Sequence, residues 1–252
     1  MRQREILGTP VSMTDYDGVL AAIDAAQADG TRIYICCTPA SSLIYARDDA
    51  ALASALSEAA IVTPDGMGVV HAARLLGEEI SDRVYGPDLM EFHCERAAAA
   101  GTPIFLYGGH DDDALARLES ELIERFPGLT IAGAYSPPHR DLTTQESADL
   151  TAQINASGAQ VVWIGIGSPK QELWMQSMRG QLEPPVLVGV GAAFDFLSGR
   201  VAQAPGWMQR ASLEWFYRLI QDPLRLGRRY LATLPRFAAL VLAQALRERK
   251  VR

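Results

Sequence analysis

Six short apolar runs, each stopping at a small or polar residue, restrict this chain to few architectures. They are Arg32–Thr38 ("RIYICCT"), Ala59–Pro64 ("AAIVTP"), Pro103–Gly109 ("PIFLYGG"), Leu129–Tyr135 ("LTIAGAY"), Ala159–Gly167 ("AQVVWIGIG") and Pro185–Gly191 ("PVLVGVG"). Helical patterns follow near Ser42–Leu56, Gly68–Leu76 and Asp112–Phe126. The runs are apolar throughout rather than alternating, which suits strands covered on both faces and hence a largely parallel sheet. Repeated strand–helix alternation then implies an α/β protein with a Rossmann-like, doubly wound, mostly parallel sheet.

Ligands of such folds bind beyond the carboxyl ends of the strands, so the residues that end each run are the candidates for chemistry. They are Thr38, Asp65-Gly66, Gly108-Gly109, Ser168 to Glu172, and Gly191 to Asp195. In "TPDGMG" (Thr63–Gly68), Asp65 has two readings. Pro-Asp-Gly is a common turn, but a carboxylate at a strand end, in the mouth of the sheet, is placed to act as a general base.

The stretch "VVWIGIGSPKQELWM" reads as a buried strand that breaks at Gly165 and Gly167 and runs into a helix. Such an elbow presents backbone N–H groups and a helix N-terminus to an anion. Pro169 fits the first helical turn, and Lys170 or Gln171 can reach a ligand held there. The elbow is not a dinucleotide fingerprint, because Lys170 stands where the third glycine of G-x-G-x-x-G belongs, and no Walker motif is present. That argues against an NAD(P)-dependent oxidoreductase. Two acidic clusters, Asp15-Tyr16-Asp17 and Asp111-Asp112-Asp113, have the DxD pattern of metal-dependent sugar transferases. Each opens a predicted helix, where capping and the helix dipole account for it, so no metal is assigned.

Composition excludes further classes. Of 252 residues, 48% are hydrophobic and 21% charged, as in an ordered soluble protein. Cys36, Cys37 and Cys94 show no CxxC spacing and read as small buried hydrophobes in a reducing compartment. The first 18 residues contain no apolar core of a secretory signal. No run reaches the roughly 18 apolar residues of a membrane span; Phe237 to Leu246 is about half that length. These features point to the cytoplasm.

Charge is unevenly distributed. Residues 205–252 carry ten Lys+Arg and three Asp+Glu, for +7, whereas residues 1–204 hold 13 basic and 27 acidic residues, for −14. The boundary at 204/205 therefore divides an α/β body from a basic helical appendage. Trp207, Trp215, Phe216, Tyr217 and Tyr230 accompany Arg210, Arg218, Arg225, Arg228 and Arg229 in it. One reading is a pair of amphipathic helices packed on the body. Another is a surface for anionic lipid headgroups, which basic and aromatic residues suit together. Arg218, Arg225 and Arg228 would share one face of a continuous helix, although Pro223 lies between them. Nucleic acid is a poorer partner, because the acidic body would repel it.

Six blocks, in order, now resemble one family. "TPDGMGVV", "RVYGPDLM", "FLYGG", "GIGSPKQELWM", "GVGAAFDFLSG" and "APGWMQRASLEWFYRLIQDPLRLGRRYL" resemble the signature blocks of the WecG/TagA/CpsF glycosyltransferases, from about Thr38 to Leu231. The resemblance implies an inverting, metal-independent transfer from a UDP-sugar to a saccharide on a polyprenyl diphosphate, in cell-surface polysaccharide assembly. It implies no cofactor, a peripheral position on the inner face of the cell membrane, and an appendage that completes the active site. By motif, Asp65 is the catalytic base and Thr38 its neighbour in the acceptor or sugar pocket. Arg83 and Gln171 line the donor site, with the Gly167–Pro169–Lys170 elbow near the diphosphate. Tyr107, Gly108, Gly109 and Asp195 approach the uridine, and Arg218, Arg225 and Arg228 close over the diphosphate.

One departure bears on the donor. Family members often carry Thr-Pro-Asn or Thr-Ala-Asn where this chain has Thr38-Pro39-Ala40, and losing the amide removes a donor/acceptor pair. N-acetylmannosamine, its uronic acid, glucuronic acid and a hexose all stay open. So does a non-catalytic reading, a nucleotide-sugar-binding or assembly protein, although such a protein has no need of a base. The sequence leaves a homo-oligomer open as well.

Overall fold

A computed structural model describes residues 1–210 and 213–251; Ala211, Ser212 and Arg252 lie outside it, as do the side chains of Gln209, Arg210, Arg225 and Val251. The chain opens with an antiparallel hairpin, β1 (Gln3–Ile6) and β2 (Thr9–Ser12), then α1 (Tyr16–Asp29) and β3 (Ile33–Thr38). The predicted helix over 42–56 is two helices, α2 (Ala40–Asp48) and α3 (Ala50–Glu58). Asp49 breaks it, because its backbone is extended and its carboxylate caps α3 by accepting from the N–H groups of Ala51 and Leu52. Then come β4 (Ile61–Pro64), α4 (Met67–Leu75), α5 (Gly86–Ala100), β5 (Ile104–Gly108), α6 (Asp112–Arg125), β6 (Ile131–Tyr135) and α7 (Thr144–Ala156). They are followed by β7 (Val161–Gly165), α8 (Lys170–Met178), β8 (Val186–Gly189) and α9 (Ala193–Leu197). The C-terminal stretch forms α10 (Gly206–Arg210), α11 (Glu214–Gln221) and α12 (Pro223–Val251).

All six predicted strands pair, in parallel, in the order β4-β3-β8-β7-β5-β6. Successive side chains of a strand leave on opposite faces, and here both faces are covered. Tyr34, Cys36, Val162, Ile164 and Leu187 feed one core, against α2, α3 and α8. Ile35, Cys37, Val161, Trp163, Val186 and Val188 feed the other, against α1, α5 and α6. This is the doubly wound arrangement, and the three cysteines are buried in it. The DxD clusters act as helix caps: Asp15 accepts from Gly18 N at 2.9 Å and Asp111 from Ala114 N at 2.7 Å.

The C-terminal segment is attached at both ends. Phe237, Val241 and Ala245 of α12 are buried in the same core as α2 and the hairpin. Gln244 donates to Glu5 O and accepts from Leu7 N, both at 3.0 Å, and Arg236 pairs with Asp48 through a 2.7 Å contact. Glu248 pairs with Arg4, and Glu214 with Arg83. Two of the segment's three carboxylates thus dock it onto arginines of the body. No helix among the described residues is long and apolar enough to cross a membrane.

Candidate active site

Asp65 follows β4 directly. Its N–H donates to Thr38 O at 3.2 Å, which carries the β3–β4 pairing one residue past the sheet. Gly66, at φ +148°, then turns the chain into α4. The Asp65 carboxylate accepts from Gly86 N at 3.3 Å. Gly86 opens α5, and a Cβ there would lie 3.0 Å from Val190 O, so the close approach of α5 to the end of β8 depends on glycine. Thr38 is fully buried beneath this turn and donates from its hydroxyl to Cys36 O at 3.2 Å.

The loop between α4 and α5 supplies the second charge. Arg83 stacks over the Tyr85 ring at 4.2 Å and donates to Glu214 of α11 at 2.6 Å, each side chain of the pair being 11% exposed. Burial, and then the neighbouring Glu214 carboxylate, push the Tyr85 hydroxyl's pKa up, and the Tyr85 ring lies 6.4 Å from Phe196 of α9. Arg218, one turn along α11, stacks over Phe196 at 5.3 Å. Two guanidinium groups, one from the body and one from the C-terminal segment, therefore flank two aromatic rings beside Asp65.

These neighbours set the ionisation of Asp65. Burial, and then the Glu214 carboxylate, push its pKa up to about 7, while Arg83, the Gly86 N–H and Arg218 pull the other way. A carboxyl group that titrates near neutrality can take a proton from a hydroxyl group at the pH of a cell.

The strand ends opposite Asp65 are held by close backbone contacts. A Cβ on Gly108, at φ +142°, would sit 2.6 Å from the Gly165 backbone, and one on Gly165 would sit 2.7 Å from the Phe194 ring. Hence β5, β7 and α9 converge only because both residues are glycine. The Tyr107 side chain is buried against Trp174 at 4.4 Å and Tyr135 at 6.3 Å. Gly109 N bonds to Gly165 O at 3.4 Å. Asp195, on α9, is paired with Arg200 at 2.8 Å.

At the elbow before α8, Gly167 has φ +83° and the Ser168–Pro169 bond is cis. Ser168 meets Ser42 of α2 at 3.0 Å. Gln171 points inward: its Oε1 accepts from Gly191 N at 3.0 Å and its Nε2 donates to Glu172 at 3.2 Å. It therefore braces α8 against the end of β8. Lys170 is exposed at the first turn.

The appendage arginines do not share one helix. Asp222 separates α11, which carries Arg218, from α12, where Pro223 takes the first helical position. Arg228 is exposed on α12, and the Arg225 side chain lies outside the described residues. Glu214, Tyr85 and Phe196 were not singled out in the sequence. The only signal for Glu214 was a lone acid among the aromatic and basic residues of "SLEWFYR".

The chain matches the Glycosyl transferase WecG/TagA/CpsF family over residues 4–251. It belongs to that family, and is a glycosyltransferase. Among its relatives is the N-acetylglucosaminyldiphosphoundecaprenol N-acetyl-beta-D-mannosaminyltransferase of Bacillus subtilis (strain 168). The two are 33% identical over 189 residues, 75% of this chain and 71% of the relative.

Proposed function

We propose that this glycosyltransferase moves a sugar from a UDP-sugar to a saccharide on a polyprenyl diphosphate, with inversion, in cell-surface polysaccharide assembly. The observation that carries this reading is Asp65, a carboxyl group in the mouth of the sheet with a pKa near 7. Asp65 takes the proton of an acceptor hydroxyl as that oxygen attacks the anomeric carbon opposite the departing UDP. One displacement inverts the configuration.

The leaving diphosphate gains charge as its bond breaks, and arginines supply the counter-charge. Guanidinium groups suit the task because they bind phosphate through two parallel hydrogen bonds. Arg218, whose charge acts on Asp65, is assigned to this role, with Arg83 from the body and Arg225 and Arg228 from α12. The elbow at Gly167 and Pro169 leads into the first turn of α8, whose N–H groups and Lys170 cation face the same anion in this scheme. The strand ends at Tyr107, Gly108 and Gly109, with Asp195, are assigned to the uridine; Thr38 and Gln171 hold the pocket's frame. No metal or cofactor is required by this scheme.

The named acceptor of the Bacillus subtilis relative is lipid-linked, which supports an acceptor of that class here. N-acetylmannosamine, its uronic acid, glucuronic acid and a hexose are the donors to compare. Residues 1–204 form the catalytic body and 205–252 the appendage that seats it on the inner membrane face. Trp207, Trp215, Phe216, Leu224 and Leu231 are exposed there, alongside Arg228. The test is Asp65→Asn: turnover collapses while UDP affinity stays close to that of the wild type. Near-normal turnover in that variant would remove Asp65 from the role.

A further inference from the structure

The transfer scheme gives Glu214 no task, yet among the described residues of the C-terminal segment it is the most buried charged residue, at 8% exposure. It opens α11, and it does not cap that helix. Its carboxylate reaches out of the segment altogether, to the Arg83 guanidinium at 2.6 Å, which itself lies over the Tyr85 ring.

We propose that Glu214 is a positioning residue of the transfer site: by docking on Arg83, it fixes the Arg83 guanidinium and brings a negative charge beside Asp65. The inference rests on the reading of Asp65 as the base.

Burying a carboxylate is costly unless it is paired and hydrogen-bonded. Glu214 meets that condition only when α11 lies against the loop that carries Arg83 and Tyr85. Docking of the segment and assembly of the charges around Asp65 are therefore one event. Without Glu214, Asp65 would face Arg83 and Arg218 alone, and two cations would hold it ionised but weakly basic. With Glu214 present, the Arg83 charge is partly neutralised and the Asp65 carboxylate becomes a better proton acceptor. The charged or titratable groups around Glu214 are Arg83 and Tyr85 from the loop, Asp65 after β4, Asp88 on α5 and Arg218 on its own helix. Of these, Arg83 and Arg218 oppose its effect on Asp65.

The direction of the effect is fixed by sign. A neighbouring anion disfavours a second one, so Glu214 raises the Asp65 pKa and its neutralisation must lower it. The experiment follows the carboxyl ¹³C signals of labelled aspartate in the full chain, with Asp65→Asn identifying the Asp65 signal. In Glu214→Gln the Asp65 titration midpoint is expected to fall by about one pH unit. The acid limb of kcat/KM moves the same way, measured with UDP-N-acetylmannosamine and N-acetylglucosaminyldiphosphoundecaprenol.

An unmoved midpoint in Glu214→Gln overturns the proposal. Where that variant also loosens α11, seen as faster amide exchange, Glu214→Asp decides because it keeps the charge. A midpoint near the wild-type value then supports the proposal, and a fall equal to that of the Gln variant overturns it. Turnover of Asp65→Asn tests the base assignment separately. Full activity there removes Asp65 as the base, while the titration midpoint still decides the role of Glu214.

Discussion

Arg83 and Glu214 are 131 positions apart in the chain and meet at 2.6 Å, each with a side chain 11% exposed. One belongs to the α/β body and the other to the C-terminal segment, so the pair joins the two parts beside Asp65. Removing one member of a buried pair leaves the other charge without compensation. Arg83→Met is expected to lower stability by about 3–5 kcal/mol, read as a shift in the denaturant midpoint. The double variant Arg83→Met, Glu214→Leu should recover most of that loss, because it buries no orphaned charge. A double variant as unstable as the single one would show that the loss comes from packing rather than charge.

Asp65 makes stability depend on pH with a sign opposite to that of most carboxylates. Its folded pKa, near 7, lies above the ordinary carboxylate value of 3.8. The folded state therefore holds this proton more tightly than the unfolded chain, and stability from this group falls as pH rises from about 4 to about 7. Asn cannot ionise, so Asp65→Asn should be more stable than wild type at pH 8, by about 1–3 kcal/mol. The advantage should shrink towards zero at pH 4. Thermal melts of both proteins at several pH values measure it, and an advantage independent of pH would place the cause elsewhere than in ionisation.

The sheet was legible because every strand of it is a continuous apolar run, from "IYICCT" to "VLVG". The hairpin of β1 and β2 carried no such signal: "QREI" and "TPVS" are short and mixed, and only packing against the body makes them strands. The break between α2 and α3 was hidden in "ARDDA", where Asp49 could equally have continued a helix or capped one. The place of Asp65 at the end of β4 could be read, because strand ends follow from the apolar runs alone. Glu214 could not, since its meaning depends on an arginine distant in sequence. Arg218, Arg225 and Arg228 share no single helix, because Pro223, already visible between them in the sequence, starts a new one.

Gly108 tests whether the strand ends opposite Asp65 are as tightly drawn together as their contacts imply. At φ +142° its backbone is strained for any residue with a Cβ, and that atom would lie 2.6 Å from the backbone of Gly165. Backbone cannot swing aside as a side chain can. Gly108→Ala is expected to cost at least about 2–3 kcal/mol and to weaken UDP binding, measured calorimetrically, more than it changes the Asp65 titration. Gly180, where nothing lies within 4 Å of an added Cβ, serves as the control position: Gly180→Ala should leave UDP binding unchanged.

α12 separates two roles along its length. Its distal part is core: Phe237, Val241 and Ala245 are buried with α2 and the hairpin. Its proximal part buries Leu226 but leaves an apolar face open, with Leu224 and Leu231 each 80% exposed. Exposed leucines beside arginines gain nothing from folding but can enter a lipid interface, where apolar burial and headgroup charge act together. Leu224→Glu with Leu231→Glu should therefore leave the melting temperature within a few degrees of wild type while cutting binding to anionic vesicles at least about tenfold. Phe237→Ala should do the reverse, costing about 3–5 kcal/mol of stability with vesicle affinity unchanged under conditions where the protein is folded. If the two variants behaved alike, the helix would have no separate lipid-facing half. If the leucine variant bound vesicles as wild type does, membrane attachment would have to come from elsewhere in the chain.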